Sequence, residues 1–178
     1  MKRIYFVLTY SGTALGQIIK FKTRKNYTHV SISLDESLEK MYSFSRLNPY
    51  NCFVGGFMHE RINEGSFKRF KNTKAKICYI EVTDYQYEKI EEQIKKFELN
   101  RKQYKFNTLG LLYILFDKKI HRDNYFYCAE FVKYILKNAN VNVKLPEMPR
   151  PENFENLKNS TVIYKGLLNR YTVKSLPA

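Results

Sequence analysis

"THVSISLDESLEKMYSFSR", residues 28–46, is the stretch whose reading decides the fold. Over residues 28–34 apolar and polar side chains alternate strictly. Val30, Ile32 and Leu34 point one way, and His29, Ser31 and Ser33 the other, which is the two-residue period of a half-buried strand. "DESLE" then supplies a turn, and "KMYSFSR" (40–46) repeats the alternation as a partner strand, so the segment predicts an antiparallel hairpin.

Upstream, "IYFVLTY" (4–10) predicts a strand. In "SGTALGQIIKFKTRKN" (11–26), Ser11 or Thr13 is placed to cap a helix with Leu15, Ile18, Ile19 and Lys22 at helical spacing. Downstream, residues 47–72, with "NPYN" and "GGFMHERINEG", predict loops, and "KAKICYIEV" (74–82) the next strand. Thr83 and Gln86 form a capping box that opens a helix, on which Tyr87, Ile90, Ile94 and Phe97 share a face. "NTLGLLYILF" (107–116), apolar nearly all round, predicts a buried helix. "NYFYCAEFVKYIL" (124–136) predicts an amphipathic helix with Asn124 as candidate cap and Phe131, Val132, Ile135 and Leu136 as its core face. Pro146, Pro149 and Pro151 interrupt regular structure, and "STVIYKG" (160–166) predicts a short returning strand. The expectation is one α+β domain over residues 1–178, an antiparallel sheet packed against helices.

With 44% hydrophobic and 16% aromatic residues, the 178-residue chain has the material for a core and not the composition of a disordered segment. No apolar run approaches the ~20 residues that span a bilayer. The start, "MKRIYFVLTYSGTALG", resembles a signal peptide, but its continuous apolar run "IYFVL" is shorter than the ~7–15 residues of a signal h-region. A buried first strand accounts for it, and the expected location is cytoplasmic or peripheral to a membrane. Cys52, Cys78 and Cys128 make an odd count without a C-x-x-C pair, which suits a reducing compartment. His29, His59 and His121 lack ligand spacing, so no metal is expected. The Gly55-Gly56 pair lacks the pattern of a phosphate loop, and no cofactor is expected.

The formal charge is +14, with basic clusters at 20–25, 68–76 and 118–122. Such a surface attracts anionic lipid, nucleic acid or an acidic polymer, and it is equally what a well-solvated Lys-rich surface looks like.

Cys128 has two readings. Its spacing with Phe131, Val132 and Ile135 is that of a small core residue. Its place near a helix start favours a thiolate and supplies N–H groups for an oxyanion, as a nucleophile requires. A thiol nucleophile needs a base. His121 lies in the basic loop "KKIHRD" and His59 in an expected loop beside Glu60, whereas His29 starts a strand, where a ring can be held in place.

"YTHVSISLD" followed about a hundred residues later by "YFYCAEFVKYIL" resembles the permuted NlpC/P60 (papain-like) family of YiiX-type amidases, in which the His strand precedes the Cys helix. "SGTALGQIIKF", "MYSFSR", "GGFMHE", "YKFNTLGLL" and "VIYKG" extend the resemblance, in order, over nearly the whole chain. The resemblance implies a circularly permuted papain-like fold with Cys128 as nucleophile and His29 as base. "CAEFV" places Ala129 where the family commonly has Ser. A polar or acidic residue on the strand after the His strand would orient the imidazole. That position matches Ser43, while Glu60 competes for the role if its segment folds back. Tyr104, in "YKFN", loosely matches a Tyr that assists the oxyanion hole, and it reads equally as an aromatic core residue.

The function implied is a cysteine amidase or peptidase-like hydrolase that cleaves an amide or ester through a thioester. Its substrate would be a small-molecule, peptide or lipid-linked acyl group. A lipid acyltransferase on the same fold is the near alternative. The alternative of another class is a noncatalytic basic module for anionic lipid or nucleic acid. A specific nucleic-acid partner is not expected, whereas an anionic membrane surface is compatible with the charge.

Overall fold

The hairpin segment forms the middle of a curled eight-stranded sheet. The computed structural model describes residues 1–48, 51–114 and 122–173. In chain order the strands are β1 (Lys2–Tyr10), β2 (His29–Ser33), β3 (Met41–Asn48), β4 (Asn51–Glu60), β5 (Lys74–Val82), β6 (Lys105–Phe106), β7 (Tyr125–Phe126) and β8 (Thr161–Leu167). The helices are α1 (Ala14–Thr23), α2 (Gly65–Arg69), α3 (Asp84–Leu99), α4 (Thr108–Ile114) and α5 (Cys128–Asn138). The sheet runs β7-β6-β4-β3-β2-β1-β5-β8, and every pair is antiparallel except β6 with β7. The architecture is mixed α+β.

The β2–β3 pairing follows the predicted hairpin, with Ile32 opposite Tyr42 and Ser33 opposite Met41. Asp35 stabilises the connection: its carboxylate accepts the backbone N–H groups of Glu39 and Lys40 and the hydroxyls of Ser33 and Ser37. Those donors hold its pKa below the ordinary carboxylate value against the opposing effect of partial burial. β2 differs from expectation in being buried on both faces, since Ser31 and Ser33 are as inaccessible as Val30 and Ile32. The hydroxyl of Ser31 meets Glu60 of β4 rather than water.

On one face of the sheet, α3 and α5 cover Ile4, Phe6, Leu8, Val30, Ile32, Phe44 and Phe57. α5 contributes Phe131, Val132, Ile135 and Leu136, all fully buried, each stabilising the fold by about 1.5–3 kcal/mol. Phe97 of α3 meets Phe44, Phe57, Phe126 and Phe131 with ring centroids 5.1–5.8 Å apart. The other face carries a smaller core of Tyr5, Val7, Leu38, Met41, Phe67, Ala75, Ile77 and Leu168.

α1 is capped by Thr13, whose hydroxyl accepts the Gly16 N–H, and α3 by the Thr83–Gln86 capping box. Three expectations are corrected. Residues 47–72 are not mainly loop, because β3 continues to Asn48, β4 runs from Asn51 to Glu60 and α2 follows. Asn124 does not cap the cysteine helix. It takes φ 62° in the turn before β7, and the helix starts after Tyr127. α4 is not wholly buried, as Leu109 and Tyr113 are 49% and 41% exposed. The end of the predicted 107–116 helix and His121, with most of the 118–122 basic cluster, lie outside the described residues.

Candidate active site

Cys128 is the first residue of α5 and is 4% exposed. The Phe131 N–H is the donor that bonds back to the Tyr127 carbonyl, at 3.0 Å, so the N–H groups of Cys128 and Ala129 precede the intrahelical ladder. The apolar stripe Phe131-Val132-Ile135-Leu136 fixes the roll of the helix on β2 and β3 and thereby aims its first residue at the start of β2.

His29 is that first residue of β2, held by main-chain pairing to Thr9 of β1. The Cys128 side chain lies near enough to its imidazole to raise the ring's pKa, and the two line one cleft. Nε2 of the ring lies 3.3 and 3.4 Å from the two carboxylate oxygens of Glu60. Ser31 completes the arrangement. Its hydroxyl donates to Glu60 Oε2 at 2.6 Å and stands 3.2 Å from His29 Nε2. A hydroxyl has one proton, so the Ser31 oxygen must accept from Nε2–H. Nε2 therefore carries a proton toward Glu60 and Ser31.

Glu60 is 8% exposed and accepts from Ser31 and from Ser45 as well as from His29. Burial raises its pKa, but the His29 charge and these three donors outweigh burial and hold it below the ordinary 4.5. For His29, burial lowers the pKa, yet the Glu60 carboxylate and the Cys128 sulfur raise it from 6.5 to about 10. At neutral pH the imidazole is a cation beside two groups that favour its charge.

The register explains why Glu60 stands there. β4 pairs with β3 so that Glu60 lies opposite Met41, Met58 opposite Ser43 and Gly56 opposite Ser45. Gly55 makes room for the neighbours: a Cβ there would come within 2.6 Å of the Ser45 carbonyl oxygen and 2.7 Å of Phe106 Cβ. A narrow cleft of about 90 Å³ opens onto the three groups. Its walls combine hydroxyls (Thr9, Ser11, Thr13, Thr28, Ser45, Ser66) with the apolar side chains of Ile19, Phe44, Phe67 and Phe106, and Cys128, His29 and Glu60 line it with them.

Cys128, His29 and Glu60 are thus brought together, and two other expected residues are not. Ser43 is fully buried in β3, and its Oγ has no hydrogen-bond partner among the described residues. Tyr104 packs against Phe97, ring centroids 4.3 Å apart, and against Phe126, outside the walls of the cleft. Ser31 and Ser45 are the positions that sequence reasoning missed. The signal for Ser31 was its place two residues after His29 on the same side of the strand. His59, next to Glu60, faces away, stacks on Tyr42 at 4.8 Å and bonds the Glu39 carbonyl at 2.5 Å.

Among the described residues no group of His, Cys, Asp and Glu side chains is arranged to hold a metal ion. No described helix is long and apolar enough to cross a membrane. Neither a scan against protein-family models nor a search of curated proteins finds a match to this chain.

Proposed function

We propose that the protein is a cysteine hydrolase, an amidase or peptidase-like enzyme on a circularly permuted papain-like (NlpC/P60) fold, with Cys128 as nucleophile, His29 as acid–base and Glu60 as its orienting carboxylate. The observation that carries this reading is the meeting, in one cleft, of the thiol at the start of α5 with the His29 ring and the buried Glu60 carboxylate that the ring contacts. Nucleophile, base and orienter brought together in one site are what thiol catalysis requires.

The chemistry follows from the contacts. The proton shared between Cys128 and His29 resides on the imidazole, and the Cys128 sulfur attacks the carbonyl carbon of an amide or ester. The developing oxyanion is met by N–H groups at the first turn of α5. The imidazolium then gives its proton to the departing amine or alcohol as the carbon–heteroatom bond breaks, leaving an acyl thioester. Water, deprotonated by His29, releases the acid and frees the sulfur. An acceptor alcohol or amine in place of water would make the same site an acyltransferase. Glu60 keeps Nε2 protonated and the ring in plane throughout. The mixed hydroxyl and aromatic walls suit an acyl group carrying both polar and apolar parts, on a small-molecule, peptide or lipid-linked donor.

The test is acylation by p-nitrophenyl acetate followed by peptide mass spectrometry. Release of p-nitrophenolate should accompany the appearance of a single acetyl adduct on Cys128, and His29→Ala should slow the burst by at least ~10²-fold. Substoichiometric iodoacetamide at about pH 6.5 should label Cys128 before Cys78. Cys78 is fully buried, and burial pushes its thiol up to about 11. A silent Cys128, modified only after denaturation, would leave the noncatalytic module as the better reading.

A further inference from the structure

We propose that α1 is a docking element that seats the mouth of the cleft on an anionic lipid bilayer. The helix divides its residues in an unusual way. Gly16 and Ile19 turn inward and wall the cleft, while Ile18 and Phe21, three residues apart on the same side, are 58% and 88% exposed. Single exposed apolar residues are common on protein surfaces. Here two adjacent ones are bracketed by Lys20, Lys22, Arg24 and Lys25, and residues 1–34 contain no Asp or Glu at all. Lys20 extends over the Tyr10 ring, 4.3 Å from its centroid, and Lys22, Arg24 and Lys25 are exposed.

The positive charge continues around the mouth. Ser66 and Phe67 of α2 wall the cleft, and the next two residues, Lys68 and Arg69, are exposed. Phe106 also walls it, and α4, which begins two residues later, exposes Leu109 and Tyr113 one turn apart. A single-stranded nucleic acid would use the cations and stack a base on Phe21, but it leaves Ile18 in water. A bilayer of anionic lipid serves both: headgroups pair with the Lys and Arg side chains while the two apolar side chains enter the acyl boundary. Docked in this way, the cleft opens toward the lipid surface.

The proposal stands apart from the catalytic reading, because binding is measured without turnover. Purified protein is co-sedimented with vesicles of phosphatidylcholine alone and with vesicles holding ~30 mol% phosphatidylglycerol, the latter supplying the surface charge that attracts basic segments. Wild type should bind the anionic vesicles and not the neutral ones. Ile18→Ser with Phe21→Ser should weaken binding about tenfold or more, and Lys22→Glu with Arg24→Glu and Lys25→Glu should abolish it. Leu99→Ser, at an equally exposed leucine on α3 (76% exposed), should change nothing. The chain has no Trp, so Phe21→Trp supplies a single reporter at a position that is already open to solvent. The emission of the introduced indole should shift to shorter wavelength on anionic vesicles and be quenched by lipids brominated on the acyl chain. A wild-type protein that ignores anionic vesicles, an unshifted emission from Phe21→Trp, or vesicle binding indifferent to Ile18→Ser/Phe21→Ser would overturn the proposal. Displacement from vesicles by short duplex DNA, with affinity for the DNA unaffected by the serine variant and no indole shift, would assign the face to nucleic acid instead.

Discussion

Glu60→Gln removes one negative charge from a buried cluster while keeping the shape of the side chain. The amide can still accept from Ser31 and Ser45, so what is lost is the electrostatic partner of His29. With the carboxylate gone, burial is opposed by the Cys128 sulfur alone, and the His29 midpoint should fall well below about 10. Breaking a buried ion pair commonly costs ~3–5 kcal/mol, and the low end applies here because the imidazole can shed its proton. About 3 kcal/mol corresponds to a melting temperature lower by about 6–12 °C at the ~2–4 °C per kcal/mol of a domain this size.

The sign of the pH dependence is fixed by the two shifts. His29, raised in the fold, contributes stability below its unfolded 6.5 that disappears as pH rises through about 10. Glu60, lowered in the fold, contributes stability above its unfolded 4.5 that disappears as pH falls through its folded value. The gap between wild type and Glu60→Gln should therefore be widest from near neutrality down to about pH 5, and should close at both extremes. Imidazole resonances in heteronuclear NMR follow the midpoint, and thermal melts across pH follow the gap. A His29 midpoint that stays where it is in Glu60→Gln would refute the reasoning, whatever happens to activity.

Ser43→Ala removes a buried hydroxyl that has no partner among the described residues, so it should leave Cys128 acylation unchanged. Melts should show it neutral or stabilised by up to ~1 kcal/mol. Gly55→Ala forces a methyl against the Ser45 carbonyl and Phe106, both walls of the cleft. It should cost about 1–3 kcal/mol in denaturant titrations and slow acylation through displacement of Ser45 from Glu60.

Much of the scaffold was legible because local chemistry and tertiary demand agree. The alternation at 28–34, the Thr83–Gln86 box and the apolar stripe after Cys128 each specify an element by themselves, and each element forms. β4 was not legible, since Gly55, Gly56 and the charged "HERINEG" read as loop. Its strand character comes from pairing with β3 along nearly its whole length and from a close approach that only glycine tolerates at position 55. That one misread strand hid the place of Glu60. Register between strands is not written in either strand alone, so Ser43 and Glu60 could not be ranked until the pairing set Ser31 and Ser45 around the carboxylate. Tyr104 sat in a plausible motif, but the demand of the Phe97 cluster for aromatic surface took it elsewhere.

The order of the three groups along the chain has a consequence for the birth of the protein. His29 and Glu60 belong to one run of neighbouring strands, β2-β3-β4, whose pairings are local, whereas Cys128 arrives only with α5. At the ~5–20 residues per second of synthesis, the polypeptide between Glu60 and Cys128 takes about 3–14 s to make. Through that interval the charge-bearing half of the cluster can assemble on the ribosome while no thiol stands beside it. When α5 emerges, its cysteine meets the imidazole only once the Phe131–Leu136 stripe has docked on the sheet. The juxtaposition of thiol, imidazole and carboxylate is thereby a property of the finished molecule, absent from nascent or half-folded chains.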